Sequence, residues 1–239
     1  MISEEQIKKL ATKYQTIEPN IRREYFQHLF LSYFYQQEQA STIYFKGGTA
    51  LRILYKSPRF SEDLDFTASM IDVKAIESLL IGTLAQLERE NISVSLKEST
   101  PTSGGFLAII SFNAFEQVMH MQLEISLRVG EKRGEILAIA SDYVPAYNIF
   151  ALAKEQLVDE KIQALLNRKK PRDFYDLYFI MRANLLPPQK KDILHQVLQV
   201  LQNSDLNFEH ELKLFLPKTH WLIIRDFKNT LEREIRRAI

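Results

Sequence analysis

The sequence predicts an α+β fold in which two helices, a mixed region and a helical region follow one another. Three observations predict it. Hydrophobic residues recur at helical spacing near the start and again from Asn148 to the end, they alternate as in strands over residues 92–140, and both patterns occur in between. The change of periodicity near Tyr147 therefore predicts an α/β domain over residues 1–147 and a helical bundle over residues 148–239.

The first two helices are predicted from signals at their starts. Ser3 with Gln6 makes a capping box for a helix of about ten residues, and Pro19 suits the first turn of a helix that runs to about Gln37. One stripe of the second helix consists of Phe26, Phe30 and Phe34. Aromatic residues at this spacing are typical of a buried face, so we expect the stripe to join the core.

The middle of the chain alternates short strands and helices. We predict strands at 42–45 and 63–67, a short helix that ends near Tyr55, and a helix over residues 73–90 that Asp72 caps. Further strands are predicted at 92–96, 106–112, 119–128 and 136–140. Helices follow at 149–168, 172–183, 188–202 and 218–237.

Composition excludes several classes of protein and site. At 239 residues, with 46% hydrophobic and 26% charged residues, the chain has the proportions of an ordinary globular protein. The absence of cysteine excludes disulfides, thiolate nucleophiles and cysteine-ligated metals, and no serine-hydrolase or Walker motif occurs. The N-terminus lacks the order of a secretory signal and no apolar run approaches the roughly 20 residues that span a bilayer, so we expect a cytoplasmic protein without a membrane partner.

Charge is distributed unevenly, although the net charge is only +1. Residues 1–150 carry 15 Lys and Arg against 18 Asp and Glu, whereas the remaining 89 residues carry 16 against 12. Neither part is basic enough to predict nucleic-acid binding by charge alone. The segment 161–172 is a local exception, because it contains no acidic residue and five basic ones, Lys161, Arg168, Lys169, Lys170 and Arg172.

Two of the seven glycines, Gly47 and Gly48, are adjacent at the predicted junction between a strand and a helix. A glycine lets the backbone approach a ligand closely, and the free N–H groups at a helix start attract an anion such as phosphate. Thr49 adds a hydroxyl. An isolated glycine pair is more often only a tight turn, so this motif by itself does not define a site.

Two aspartates follow the glycine pair. In the predicted strand Asp63 and Asp65 point to one side, while the residues next to them in the strand point into the core. Two carboxylates on one side of a strand repel each other unless a cation lies between them. Magnesium meets this demand, because it binds through one or two carboxylates together with substrate phosphates. Exposed strands are often acidic, but the combination with a glycine-rich anion turn favours a nucleotide site.

A further carboxylate lies on a strand that alternates cleanly over residues 119–128. Its apolar face consists of Met119, Met121, Leu123, Ile125 and Leu127. Glu124 lies on the opposite, polar face. If this strand pairs beside the strand of the two aspartates, Glu124 could supply a third metal ligand or take a proton as a general base. The alternative is a polar face that only meets solvent.

Three runs of sequence occur together in this chain. They are KGGTALRILYKSPRFSEDLDF, QLEISLR and LAKEQLVDEKIQALLNRKKPRDFYDLYFI. These runs resemble the AbiEii/AbiGii nucleotidyltransferase toxins of bacterial type IV toxin–antitoxin systems. The likeness extends over roughly residues 40–180, and the glycine pair, the D-x-D, the lysine in DEKI and the D-x-x-D of RDFYD all occur in family order.

The resemblance implies a nucleotidyltransferase fold of polymerase β type, with a mixed sheet and a C-terminal helical bundle. It implies Mg²⁺ on Asp63 and Asp65, to which the strand pattern adds Glu124. The residues that it implies at the phosphates of a nucleoside triphosphate are Gly47, Gly48, Thr49 and Lys161, to which we add Lys46, Arg59 and Ser61 of the first run. Asp173 and Asp176 complete the implied catalytic site.

Two of these residues, Lys161 and Asp173, also have structural explanations. On a helical wheel Lys161 falls in the arc that should face the core, so its ammonium group needs an anion or must extend to the surface. Asp173 lies near the third position of a helix opened by Pro171, where the helix dipole stabilises a carboxylate. Asp176 lies one turn later on the same face, and capping does not explain it.

These observations predict an enzyme that transfers a nucleotide from an NTP to an acceptor hydroxyl and releases pyrophosphate. The resemblance implies a toxin of a toxin–antitoxin or phage-defence system. Its expected acceptor is RNA, such as the 3′ end of tRNA, with protein as an alternative, and its expected partner is a winged-helix antitoxin encoded nearby. The competing hypothesis is a nucleotide-binding regulatory or antitoxin-like module without turnover. Retention of two mutually repelling aspartates argues against that hypothesis.

Overall fold

The computed structural model describes residues 1–68, 72–114, 117–127 and 130–239. The chain divides into two units. The first consists of Met1–Lys56 and Phe60–Ala153, and the second of Ser57–Arg59 and Lys154–Ile239. A mixed sheet with helices forms the first unit, and helices form the second, which confirms the predicted α+β class. Within the described ranges, no helix is long and apolar enough to cross a membrane.

The helices of the first unit lie close to their predicted positions, although Asp72, the predicted cap before Val73, makes no side-chain cap bond. They are α1 (Glu4–Lys13), α2 (Glu18–Phe34), α3 (Gly47–Tyr55) and α4 (Val73–Arg89). At the start of α1 the Gln6 N–H donates to Ser3 Oγ and the Ser3 N–H donates to Gln6 Oε1, which confirms the capping box. Pro19 lies in the first turn of α2, and the phenylalanine stripe of that helix is buried, as predicted.

The strands of the first unit form one mixed, seven-stranded sheet. They are β1 (Ile43–Lys46), β2 (Leu64–Ala68), β3 (Ser93–Thr102), β4 (Gly105–Ala114), β5 (Gln117–Ser126), β6 (Gly134–Ile139) and β7 (Tyr147–Leu152). Their order across the sheet is β3-β4-β5-β2-β1-β7-β6. Strand β2 lies in the interior, antiparallel to β1 and parallel to β5. Pairing on both sides fixes which residues of β2 face the core and which face the other way.

The second unit is organised around an aromatic core. Its helices are α5 (Lys154–Arg168), α6 (Pro171–Arg182), α7 (Ile193–Gln202), α8 (Phe208–Leu212), α9 (Trp221–Arg225) and α10 (Phe227–Ala238). Phe174 and Tyr175 of α6, Phe208 of α8 and Phe227 of α10 pack with ring centroids 5.1 to 5.7 Å apart. Such buried rings contribute much of the apolar area that holds a small helical unit together.

Strand β7 is the main departure from the sequence prediction. The helix predicted from residue 149 begins only at Lys154, because residues 147–152 are extended. They pair in parallel with β1, where Ala151 lies opposite Phe45, and antiparallel with β6. Residues 149–152 have a local pattern that also suits a helix, but pairing with strands on both sides keeps them extended.

Other differences concern the ends of elements. The helix predicted at 218–237 is interrupted at Asp226 and forms α9 and α10, and the sequence pattern does not predict the short α8. The strand predicted at 119–128 spans Gln117–Ser126, and Arg128 lies outside the described residues.

Candidate active site

The turn from β1 to α3 brings a glycine against a carboxylate. Gly47 has a φ of +86°, a backbone conformation that side chains disfavour, and it is the first residue of α3. A Cβ atom at this position would lie 2.0 Å from Oδ2 of Asp65. Glycine is therefore needed for two reasons, the backbone angle and the close approach of Asp65. The N–H groups at the start of α3 can bind an anion at the same place.

Asp63 and Asp65 alternate with buried apolar residues at the start of β2. Asp63 immediately precedes the strand and Asp65 lies within it, and both are partly exposed. Leu64 and Phe66 are fully buried. The alternation of a strand thus places the carboxylates on the side away from these apolar residues.

Side chains from two helices hold the backbone before and at the first aspartate. The hydroxyl of Thr49 donates to the carbonyl oxygen of Asp63 at 2.5 Å, and Thr49 is fully buried. The amide of Gln27, on α2, donates to the carbonyl oxygens of Ser61 and Glu62, each at 3.0 Å. The predicted contact of Thr49 with phosphate would therefore come from its backbone N–H. Gln27 is not among the residues predicted from sequence, because α2 contains other polar residues such as Glu24 and His28 and no local pattern distinguishes it.

Register places three charged residues side by side across the sheet. Lys46 of β1 lies opposite Asp65, and Asp65 lies opposite Glu124 of β5. The strand of Glu124 thus pairs beside β2, which is the condition for its predicted role. Glu124 is exposed, and its carboxylate accepts a 2.5 Å hydrogen bond from Gln122. Whether it binds metal or takes a proton stays a prediction.

The carboxylates of the first unit fit a metal that shares its ligands with a substrate. Among the described residues, no group of three or more His, Asp or Glu side chains is arranged to hold a metal ion. Asp65 lies against the glycine turn, and Asp63 is two residues before it in the chain. Mg²⁺ is commonly held by one or two carboxylates, waters and substrate phosphates. The residues present therefore fit Mg²⁺ bound together with a triphosphate.

The second unit contains a buried carboxylate that pairs with two cations. Arg59 donates to Asp176 through Nε at 2.8 Å and Nη2 at 2.9 Å, and Lys161 Nζ lies 2.7 Å from Oδ2 of the same carboxylate. Only 1% of Asp176 is exposed. Burial raises the pKa of Asp176, but the charges of Arg59 and Lys161 outweigh it and lower the pKa below its ordinary value. Asp176 is thus the anion that the inward-facing Lys161 requires.

Asp173 has the surroundings of a helix cap. Its Oδ2 accepts from the backbone N–H of Lys170 at 3.2 Å, and its Oδ1 lies 2.5 Å from Nη2 of Arg168. The residue is 1% exposed at the start of α6. Capping and one ion pair account for its burial. Its predicted place in the catalytic site stays a prediction.

The candidate residues are thus divided between the two units. The first unit contains Lys46, Gly47, Gly48, Thr49, Ser61, Asp63, Asp65 and Glu124. The second contains Arg59, Lys161, Asp173 and Asp176. The first group contains a glycine turn against a carboxylate, and the second contains two cations around one buried carboxylate.

Comparison with known proteins agrees with this chemistry. The sequence-family model of the AbiEii nucleotidyl transferase toxin of type IV toxin–antitoxin systems matches residues 29–237. Two solved structures from Helicobacter pylori have TM-scores of 0.68. One is a candidate nucleotidyltransferase, 18% identical over 93% of this chain and 95% of its own. The other, JHP933, is 19% identical over 93% of each chain.

No curated protein matches the chain. At 18% and 19% identity the two solved structures support the fold alone. The family model carries more weight, because it covers most of the chain, including both groups of candidate residues. The chain therefore belongs to the AbiEii family of nucleotidyl transferase toxins of type IV toxin–antitoxin systems.

Proposed function

We propose that this protein transfers a nucleotide from a nucleoside triphosphate to an acceptor hydroxyl, with Mg²⁺ bound by Asp63 and Asp65. The observation that carries the proposal is the contact between the carboxylate of Asp65 and the glycine turn at the start of α3. This contact supports the proposal, because a magnesium–triphosphate complex needs a carboxylate next to a turn that can bind phosphate. Family membership supports the same reaction class.

In the proposed reaction the acceptor oxygen forms a bond to the α-phosphorus, and the bond from that phosphorus to the pyrophosphate oxygen breaks. The N–H groups of Gly48 and Thr49 bind phosphate oxygens, and Lys46 and Ser61 contribute further polar contacts. Glu124 accepts the proton that the acceptor hydroxyl loses. Magnesium, when bound, stabilises the charge on the attacking and leaving oxygens. Asp63 and Asp65 hold their positions through β2 and its buried supports.

The cluster of the second unit supplies positive charge in this proposal. Asp176 carries one negative charge and contacts two cations, Arg59 and Lys161. The family pattern supports the triphosphate as a second anion for Lys161. We assign Lys161 to phosphate binding, Arg59 and Asp176 to holding it, and Asp173 to the start of the helix that carries Asp176.

We propose RNA as the acceptor, with the 3′ end of tRNA as the first candidate. The support is the family's description as a toxin and the exposed pair Lys169 and Lys170, which a polyanion could contact. An antitoxin encoded beside this gene, with a winged-helix fold, and a cytoplasmic location belong to the same proposal. Incubation with each labelled NTP and total RNA or protein, followed by gel separation, identifies both the nucleotide and the acceptor.

Substitution of the aspartates tests the proposed site. We expect Asp63→Ala and Asp65→Ala each to lower transfer at least about 100-fold while the fold is retained, because each removes a metal ligand and relieves charge repulsion. Asp72→Ala is the matched control, since Asp72 is an exposed carboxylate of the same unit that makes no side-chain cap bond. Transfer and circular dichroism are measured for all three variants.

Wild-type turnover in either aspartate variant would contradict the site. Magnesium-dependent NTP binding without any labelled product, in the wild type and with every NTP, would instead favour the module without turnover. In cells, the same substitutions should restore growth if expression of the wild type arrests it. Growth arrest by a folded, inactive variant would also favour the binding module.

A further inference from the structure

Helix α2 carries a buried amide that the proposed reaction does not use. Gln27 is 1% exposed and lies next to Phe26, which is 2% exposed. The helix is buried on several sides, so an apolar residue would be the ordinary choice at this position. A buried amide costs free energy unless its hydrogen bonds are made. Its partners should therefore explain its presence.

The partners of Gln27 are the two carbonyl groups that precede the first aspartate. One side-chain nitrogen, Nε2, lies 3.0 Å from the carbonyl oxygens of both Ser61 and Glu62. The next carbonyl along the chain, that of Asp63, accepts from Thr49 at 2.5 Å. Three consecutive carbonyl groups of an irregular segment are thus fixed by buried side chains. The last of these three fixed carbonyl groups belongs to Asp63, the first proposed metal ligand.

The same helix also holds the element that carries the glycine turn. Glu24, three residues before Gln27 and 5% exposed, accepts from Arg52 of α3 through Nε at 2.7 Å and Nη2 at 3.2 Å. The hydroxyl of Tyr143 donates to the same carboxylate at 2.6 Å. Residues three apart lie on one face of a helix. One face of α2 therefore contacts both α3, which begins at Gly47, and the segment that leads to Asp63.

We propose that Gln27 is a positioning residue for Asp63 and Asp65: by fixing the carbonyl groups of residues 61 and 62, it sets the geometry of the proposed magnesium ligands. The inference rests on the proposed function. Residues behind a first layer of metal ligands commonly change metal affinity or activity about 10- to 100-fold when they are replaced. Gln27 acts through the backbone, and it does not contact the reacting atoms.

Gln27→Met tests the proposal, because methionine fills nearly the same volume in the core and cannot donate a hydrogen bond. Gln37→Met is the matched control. Gln37 also uses Nε2 for two bonds, to the Leu79 carbonyl oxygen at 3.0 Å and the Thr83 hydroxyl at 2.9 Å, but these partners belong to α4. Binding of Mn²⁺ is titrated in the presence of a non-hydrolysable NTP analogue, and Tm, kcat and KM are measured alongside.

We expect Gln27→Met to weaken Mn²⁺ binding and to lower kcat about 10- to 100-fold, with a much smaller change in KM for the NTP. Gln37→Met should lower Tm without changing Mn²⁺ binding. Wild-type Mn²⁺ affinity in folded Gln27→Met overturns the inference. If Gln27→Met does not fold, Gln27→Asn carries the test: its amide is one methylene shorter and cannot reach both carbonyls, so weaker Mn²⁺ binding supports the inference and unchanged binding overturns it.

Failure of the proposed function has a different signature. If Asp63→Ala binds Mn²⁺ as well as the wild type, the metal site itself is wrong, and the inference about Gln27 fails with it. If Asp63→Ala loses Mn²⁺ binding and Gln27→Met retains it, only the inference about Gln27 is wrong.

Discussion

At the scale of single residues, Asp176 illustrates how burial changes the meaning of a motif. In the sequence it is the second aspartate of a D-x-x-D; in the structure its two oxygens are occupied by Arg59 and Lys161. A carboxylate so engaged is a poor proton acceptor, since both cations lower its pKa. Its contribution is therefore to hold two positive groups at a fixed separation.

Removal of this charge should destabilise the protein strongly. Asp176→Asn turns part of the group into an N–H donor that faces two cations, and breaking a buried ion pair typically costs about 3 to 5 kcal/mol. Lys161→Met should cost less, because Asp176 keeps its two bonds to Arg59, but it should weaken NTP binding. Denaturant unfolding and NTP titration measure the two effects.

Asp159→Asn is the control for this prediction. Asp159 also belongs to the second unit and pairs with a lysine, Lys190 at 3.0 Å, but its side chain is 40% exposed. Pairs of this kind contribute about 0 to 1 kcal/mol. Equal stability of Asp176→Asn and Asp159→Asn would show that the buried cluster contributes little.

The residues that could be predicted are those whose neighbours are close in sequence. Asp63 and Asp65 alternate with buried residues, and the capping box of α1 spans four residues, so local sequence is sufficient to predict both. The anion beside Lys161 could not be identified that way. The helical wheel predicts that Lys161 needs an anionic partner. That this anion is Asp176, and that Arg59 also contacts it, depends on tertiary packing, since Arg59 and Asp176 are 117 residues apart in sequence.

At the scale of elements, the β1–α3 turn is tightly constrained at Gly47. Gly47→Ala should lower both stability and NTP transfer, because the new methyl group would meet Asp65 and the positive φ would be strained by about 1 to 2 kcal/mol. Thermal unfolding and transfer assays measure these effects.

Gly104→Ala is the matched substitution in the turn between β3 and β4. A Cβ atom there meets no heavy atom within 4 Å, so we expect nearly wild-type stability and transfer. If the two alanine variants behave alike, the close contact of Gly47 with Asp65 does not matter for the protein.

Elements with signals at their ends were predictable, and β7 was not. Helices α1 and α6 begin within a residue of their predicted starts, because the capping box and the proline at these starts act locally. Residues 147–152 carry no comparable signal, and their short apolar run fits a strand or a buried helix equally well. Pairing with β1 and β6 decides between the two, and that information lies elsewhere in the chain.

At the scale of the whole molecule, the small net charge means that an RNA acceptor must be attracted locally. Lys169 and Lys170 are exposed, whereas Arg168 of the same segment already pairs with Asp173. We expect the double substitution of both lysines by alanine to weaken RNA binding. The slope of log affinity for RNA against log salt concentration, called the salt slope below, should become smaller in magnitude by about 1 to 2. Affinity for the NTP should be unchanged. Binding is measured at two or more salt concentrations.

Lys8 and Lys9 provide the control pair, because they are also adjacent, exposed lysines but lie on α1 in the first unit. Their double substitution should leave the salt slope unchanged. If the substitutions at 169 and 170 leave RNA affinity and slope at wild-type values, the acceptor does not contact this segment, and the lysines only complement the helix end.

The path of the chain limits how this gene can recombine. Residues 57–59 belong with the second unit, although the residues on both sides of them belong to the first. A crossover between two relatives at residue 153 would therefore combine the Arg59 of one parent with the Asp176 of the other. Such a hybrid should be stable only if the residue at 59 from one parent and the residue at 176 from the other still form this ion pair. Exchange of C-terminal parts without loss of stability requires the segment between α3 and β2 to be inherited together with the C-terminal helices.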